Sequence, residues 1–352
     1  MAHQPEAAAP PAGPLPGGSA SAPHPRPPAR RTYAALDLGT NNCRLLVARP
    51  VDDGFVVVDA FSRIVRLGEG LGATGRLGEA AMDRAVSALS VCADKLRRRH
   101  VSLVRSVATE ACRRAANGRA FVERVHRETG IQLEIISAEQ EARLAVIGCH
   151  ALLEPGDGPA LIFDIGGGST ELVLIDPGAG EPRIIDWFSA PWGVVSLTES
   201  ETHEVADEDA RLAAYARMRG RVADAFAGFA SALRARGAEP RRLLGTSGTV
   251  TTLASLHLEL PSYDRRAIDG LVVPAAAMRG ISTRLSAMSL AERATLACIG
   301  QERADLVVAG CAILEAILDL WPADRLGVAD RGIREGILRS LMARDHGGGR
   351  RP

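Results

Sequence analysis

The sequence predicts an α/β protein of two related lobes with mixed β-sheets flanked by helices and a site in the cleft between them. A repeat carries most of that prediction. Residues 35–50 read ALDLGTNNCRLLVARP and residues 162–177 read IFDIGGGSTELVLIDP; laid together without a gap, Asp37 meets Asp164, Gly39 meets Gly166 and Pro50 meets Pro177. Apolar strands alternating with helical stripes point to α/β layers, and a length of 352 residues favours two domains.

Each copy of the repeat is an apolar strand, Asp-x-Gly, a short polar or glycine turn, and a second apolar strand. That pattern is a β-hairpin with an acid and bare backbone at its tip. In the first lobe, strand 33–36 pairs with 44–49, and 55–59 and 63–67 read as two further strands of a meander. Residues 78–99 have helical spacing, with Ala81, Ala85, Leu89, Cys92 and Leu96 on one stripe. Strand 101–108 ends in TEACRR, helix 118–129 stops at Gly130, and strand 131–136 leads into SAEQEARLAVIGCHAL. The second lobe restarts at Pro159 with the repeated hairpin and a strand at 183–188. Helix 207–236 carries the stripe Leu212, Tyr215, Val222, Phe226, Phe229 and Leu233, and strand 241–245 runs into GTSGTVTTL. A helix over 303–319, a strand over 326–330 and a final helix in RGIREGILRSLM complete the reading. Residues 1–31 are rich in Pro, Ala, Ser and Gly and are expected to be disordered; the GGGRRP tail is expected to fray.

Acidic and basic residues number 42 each, so no global field draws the chain to nucleic acid or a membrane. No continuous apolar region suits a secretory signal or a membrane span. The cysteines, Cys43, Cys92, Cys112, Cys149, Cys298 and Cys311, are scattered without a C-x-x-C pair. They are expected to be reduced and mostly buried in a cytoplasmic protein.

The hairpin tips carry the chemistry. Glycine permits positive φ and close approach of backbone N–H groups to an anion, and runs of such groups form an anion nest. A carboxylate repels phosphate, so Asp37 and Asp164 make sense chiefly with Mg²⁺ or its waters in between. Glu141, at the start of a helix after a strand, could polarise a water for attack on phosphorus, or could pair with Arg143 or stabilise the helix N-terminus. Glu171, on the returning strand of the second hairpin, could join Asp164 at one metal or one water. Arg113 fits a bidentate phosphate contact or a helix surface. Gly245, Ser247, Gly248 and Thr249 of GTSGT suit a phosphate chain or a plain helix cap.

The two hairpins and GTSGT resemble the phosphate and nucleotide loops of the actin/Hsp70/sugar-kinase superfamily. Together, DLGTNNCRLL, ATEACR, EIISAEQEARL, DIGGGSTELVL, GTSGT and DRGIREGIL resemble the exopolyphosphatase/guanosine pentaphosphate phosphohydrolase (Ppx/GppA) family, over roughly residues 33–342. The resemblance implies two actin-like (ribonuclease H-like) lobes, spanning 32–146 and 147–332, with a C-terminal helix over 333–345 packing on the first and a frayed tail over 346–352. It implies a Mg²⁺-dependent phosphoanhydride hydrolase releasing terminal phosphate from polyphosphate, or alternatively from guanosine pentaphosphate. A binding protein for guanosine tetra- or pentaphosphate with little turnover is the reading of another class. By motif position, Glu141 corresponds to the base, Asp164 and Glu171 to metal and water ligands with Asp37 opposite, and Arg113 to a phosphate-holding arginine. Thr40, Asn41, Gly166, Gly167, Gly168, Ser169 and Thr170 match loops lining the anion. A homodimer is implied as well. The sequence departs from the family where Thr40-Asn41-Asn42 replaces Ser-Asn-Ser and where Gln140-Glu141 replaces a pair of glutamates. Long members carry a further helical region with HD-type metal-ligand character, so a short two-domain form is expected here.

Overall fold

The sequence repeat is a repeat of topology. In the computed structural model, which describes residues 31–348 apart from 53, 179–181 and 202, each lobe is organised by one mixed sheet. The first contains β1 (Tyr33–Leu38), β2 (Asn42–Val51), β3 (Gly54–Ile64), β4 (Leu103–Ala108) and β5 (Leu133–Ile135) in the order β3-β2-β1-β4-β5. The second contains β6 (Ala160–Ile165), β7 (Thr170–Asp176), β8 (Arg183–Ala190), β9 (Arg242–Thr246), β10 (Val272–Pro274) and β11 (Arg325–Ala329) in the order β10-β11-β9-β6-β7-β8. In both, an antiparallel meander supplies one half of the sheet, and its first strand pairs in parallel with a later strand.

The helices of the first lobe are α1 (Leu71–Thr74), α2 (Glu79–Arg98), α3 (Glu110–Arg114) and α4 (Gly118–Thr129). The stripe expected on α2 buries Ala81, Ala85, Leu89 and Cys92 against Leu36, Leu45 and Val47 of the sheet. Gly130 ends α4 in a left-handed conformation (φ 74°) that costs glycine little. Helix α5 (Ala138–Cys149) follows β5 and opens with a capping box: Ser137 Oγ accepts from Gln140 N–H and Gln140 Oε1 accepts from Ser137 N–H, both at 3.1 Å. Gln140 thus completes the cap at the start of α5.

In the second lobe, α6 (Val194–Ser200), α7 (Glu208–Ala235), α8 (Gly248–His257), α9 (Arg265–Ile268), α10 (Ala275–Ala287), α11 (Leu290–Ala294) and α12 (Val307–Leu320) enclose the largest core. Asp207 caps α7, and its stripe is buried except at Leu212, where neighbouring Arg211 turns inward and donates to the carbonyls of Val205, Ala206 and Ala287. The last helix, α13 (Ile333–Gly348), returns to the first lobe. Ile337, Leu338 and Met342 pack with Tyr33, Ala35 and Leu46, on the sheet face opposite α2. It crosses α5 in backbone contact, since a Cβ on Gly336 would lie 2.0 Å from Leu144 O and one on Gly148 2.0 Å from Gly332 O.

Several expectations need correction. The strands expected at 55–59 and 63–67 are one continuous β3. Past Ile64 the chain leaves the sheet because Val65 and Arg66 N–H groups donate to Asn41 O, bracing the first hairpin tip. The helix expected from 303 begins at Val307, because residues 301–306 form turns. The helix expected to end at 345 continues to Gly348. The Pro/Ala-rich tail up to residue 30 and the tail beyond 348 lie outside the described residues. All six cysteines are free and all but Cys298 are buried; Cys43 and Cys92 lie with their Sγ atoms 3.9 Å apart. No described helix is long and apolar enough to cross a membrane.

One contact shows how the outer strand of the first sheet is fixed. Asp59 on β3 accepts from Lys95 Nζ and Arg99 Nε, each at 2.8 Å. These hydrogen bonds, Lys95 first, lower its carboxyl to about 2. A depressed carboxylate contributes stability above its unfolded value near 4 and loses it as pH falls toward 2. Asp59→Asn is therefore expected to destabilise the protein at pH 7 by about 1 kcal/mol, allowing for solvent screening. Urea titrations at falling pH should show the gap close; a gap independent of pH would refute the linkage.

Candidate active site

Both hairpin tips are built alike. Across β1–β2, Asp37 pairs with Arg44, and Gly39 N–H donates to Asn42 O at 2.9 Å. Across β6–β7, Asp164 pairs with Glu171, and Gly166 N–H donates to Ser169 O at 3.0 Å. The tips meet. A Cβ on Gly167 would stand 3.0 Å from Thr40 Cβ, and one on Gly168 would stand 2.7 Å from Thr40 Oγ1. None of Gly166, Gly167 and Gly168 takes a positive φ. Their bareness serves close approach of the opposite tip, and positive φ, expected from the sequence, is not the reason for them. Behind them, Val194 and Val195 N–H groups donate to the carbonyls of Gly166 and Gly167, at 2.9 and 2.8 Å.

The cleft where the tips meet encloses a cavity of about 150 Å³. Asp37, Thr40, Asn41 and Glu141 line it from the first lobe; Asp164, Gly166, Gly167, Gly168, Ser169 and Glu171 line it from the second. Ser247, Gly248 and Thr249 join them at the N-terminus of α8. Ser247 holds φ 130° and ψ 174°, a region that non-glycine residues occupy only under strain. Its Oγ is buried without a partner, as are Asp37 Oδ1 and Asn41 Oδ1. Such orphaned atoms in a polar cleft mark places for a ligand or ion.

Three expected site residues lie elsewhere. Thr170 is fully buried, and its hydroxyl donates to Trp192 O at 2.7 Å. Gly245 sits inside β9, where a Cβ would strike the Phe163 ring at 2.5 Å, so it serves packing. Arg113 stands behind Glu141 and is engaged by protein groups. Sequence reasoning in turn missed Arg44, Glu110 and Arg303, which line the cleft. The signal for Arg44 was in the repeat, because it is the register counterpart of Glu171.

Five carboxyl groups, those of Asp37, Glu110, Glu141, Asp164 and Glu171, line this small space. Burial raises Asp37, and raises Asp164 to about 8 with help from Glu171 and Asp37, while Arg44 opposes both shifts. Burial also raises Glu171, although Ser169 and Ser189 hydroxyls donate to its Oε1 at 2.7 and 2.9 Å. Glu141 is raised well above the ordinary range by burial and then by Glu171, against the pull of Arg113. An acid cluster of this kind fits a hard divalent cation. Among the described residues, no group of three His, Cys, Asp or Glu side chains is arranged to hold an ion by itself. Asp37 and Asp164 fit Mg²⁺ nonetheless, since Mg²⁺ commonly takes one or two carboxylates and fills its remaining positions with water and substrate phosphate.

The sequence matches the Ppx/GppA phosphatase family over residues 46–345. The chain belongs to this family. It is 34% identical over 323 residues to exopolyphosphatase 2 of Mycobacterium tuberculosis (strain H37Rv), covering 88% of this chain and 98% of that protein. It is 29% identical to the guanosine-5'-triphosphate,3'-diphosphate pyrophosphatase of Aeromonas hydrophila, where the match covers 89% of this chain and 60% of the relative. Its fold matches the crystal structure of the Aquifex aeolicus Ppx/GppA family member with a TM-score of 0.73 at 29% identity, over 90% of this chain and 99% of that one. An exopolyphosphatase structure from Cytophaga hutchinsonii gives 0.79 at 26% identity, over 89% and 98%. The two mixed sheets are thus the actin-like halves of a Ppx/GppA phosphohydrolase.

Proposed function

We propose that this Ppx/GppA protein is a Mg²⁺-dependent exopolyphosphatase, releasing terminal orthophosphate from inorganic polyphosphate with Glu141 as the base. The observation that carries the proposal is a buried carboxylate, Glu141, facing the two hairpin tips across one small cleft. Backbone N–H groups at those tips and at the start of α8 receive the terminal phosphate. When bound, Mg²⁺ would neutralise charge on the phosphate oxygens. Glu141 accepts a proton from water as the water oxygen bonds to the terminal phosphorus. The phosphorus–oxygen bond to the next phosphate breaks, giving orthophosphate and a chain one unit shorter. The exopolyphosphatase relative matched over 98% of its length favours this substrate. The pyrophosphatase relative keeps guanosine pentaphosphate as the competing one.

The test is phosphate release from long-chain polyphosphate, guanosine pentaphosphate and ATP in parallel, with and without chelator. Release fastest from polyphosphate and abolished by chelator is expected. Preference for guanosine pentaphosphate would overturn the substrate assignment, and no release from any of the three would overturn the hydrolase reading in favour of a nucleotide-binding regulator.

A further inference from the structure

We propose that Glu110 and Arg113 form a clamp that positions Glu141, so that Arg113 serves the reaction through Glu141 and not as a ligand of phosphate. This rests on the reading of Glu141 as the base. Arg113 carries five N–H donors in a fixed plane, and four hydrogen bonds already use them. Nε and Nη2 donate to Glu110 Oε2 at 3.1 and 2.5 Å; Nη1 donates to Ile136 O at 2.8 Å and to Glu141 Oε2 at 3.1 Å. No paired edge of the guanidinium is left for the bidentate phosphate contact that the sequence suggested.

The clamp is anchored at both ends. Ile136, fully buried just after β5, fixes Nη1, and Glu141 stands in the first turn of the helix that follows. Glu110 opens α3 and borders the cleft, where a Cβ on Gly168 would come within 3.0 Å of its Cγ. It therefore bridges the tip of the second lobe and the guanidinium that holds the base. The Glu141 side chain is 9% exposed, Glu110 12% and Arg113 22%, so water competes weakly for these bonds. With Oε2 taken by Arg113, Oε1 is the oxygen of Glu141 left to meet water.

Arg113→Lys, which cannot reproduce four directed bonds, is expected to lower kcat about 10²-fold while KM for polyphosphate stays unchanged. Glu110→Gln keeps the shape and one acceptor oxygen, so it should lower kcat less, also at constant KM. It provides the measurement if the lysine variant does not fold. Placed in a Glu141→Gln background, neither substitution should slow the residual rate further. A rise in KM with kcat intact, or an undiminished effect in the Glu141→Gln background, would overturn the clamp. Wild-type turnover by Glu141→Gln alone would instead overturn the base assignment, so the two failures are distinguishable.

Discussion

Glu141→Gln is expected to leave a folded protein that binds polyphosphate and releases phosphate about 10²–10⁴-fold more slowly, the usual contribution of a positioned general base. The amide preserves shape and an acceptor for Arg113 but cannot take a proton from water. Burial and Glu171 hold the Glu141 carboxyl well above its ordinary value. A base must be ionised to act, so activity of the native protein should fall as pH drops through that raised value, with the acid limb lying above the range of a solvated glutamate. Initial rates against pH, with a thermal melt of each protein as a control for folding, test both statements. An unchanged rate in the glutamine variant would remove Glu141 from the mechanism.

The second large effect belongs to Asp164. Its carboxyl, raised to about 8, keeps in the folded state a proton that the unfolded chain releases near 4. The folded state thus binds more protons across that window. Stability of the metal-free protein should fall by on the order of a few kcal/mol as pH rises from about 4 to about 8. A cation beside Asp164 favours the ionised form, so Mg²⁺ should raise Tm more at pH 8 than at pH 5. Asp164→Asn is expected to abolish activity, remove its share of the pH dependence, leaving that of Asp37, Glu141 and Glu171, and erase the Mg²⁺ shift. Melts over a grid of pH and Mg²⁺ would show this; an asparagine variant that still gained Tm from Mg²⁺ would mean that the ion sits elsewhere.

The parts of the fold legible in the sequence were those written in local periodicity. The repeated Asp-x-Gly hairpins, the stripe of α2, the Gly130 stop and the long α7 follow from spacing and glycine conformation. Within residues 258–300, α9, β10 and α11 were opaque because they are three to five residues long, too short to show a period, and the thirteen-residue α10 between them went unread as well. The site was legible where backbone mattered, at the tips and at α8. It was not legible where side chains find partners far along the chain. Nothing near Arg113 in sequence announces that Ile136 O and Glu141 will occupy it, and nothing near Thr170 announces Trp192 O. Glu110 stands three residues before Arg113, but its position against Gly168 depends on the two lobes meeting.

The return of α13 to β1 has a consequence for how the protein is made. Tyr33, Ala35, Leu46 and Ala48 leave the ribosome early, but the side chains that cover them, Ile337, Leu338 and Met342, are among the last described residues to emerge. At about 5–20 residues per second the interval is tens of seconds. Through that time the part of this face that Leu144 of α5 does not cover lacks its partners. The first lobe is thus built to wait for its own chain, and a ribosome stalled before residue 333 would present that face to chaperones and proteases.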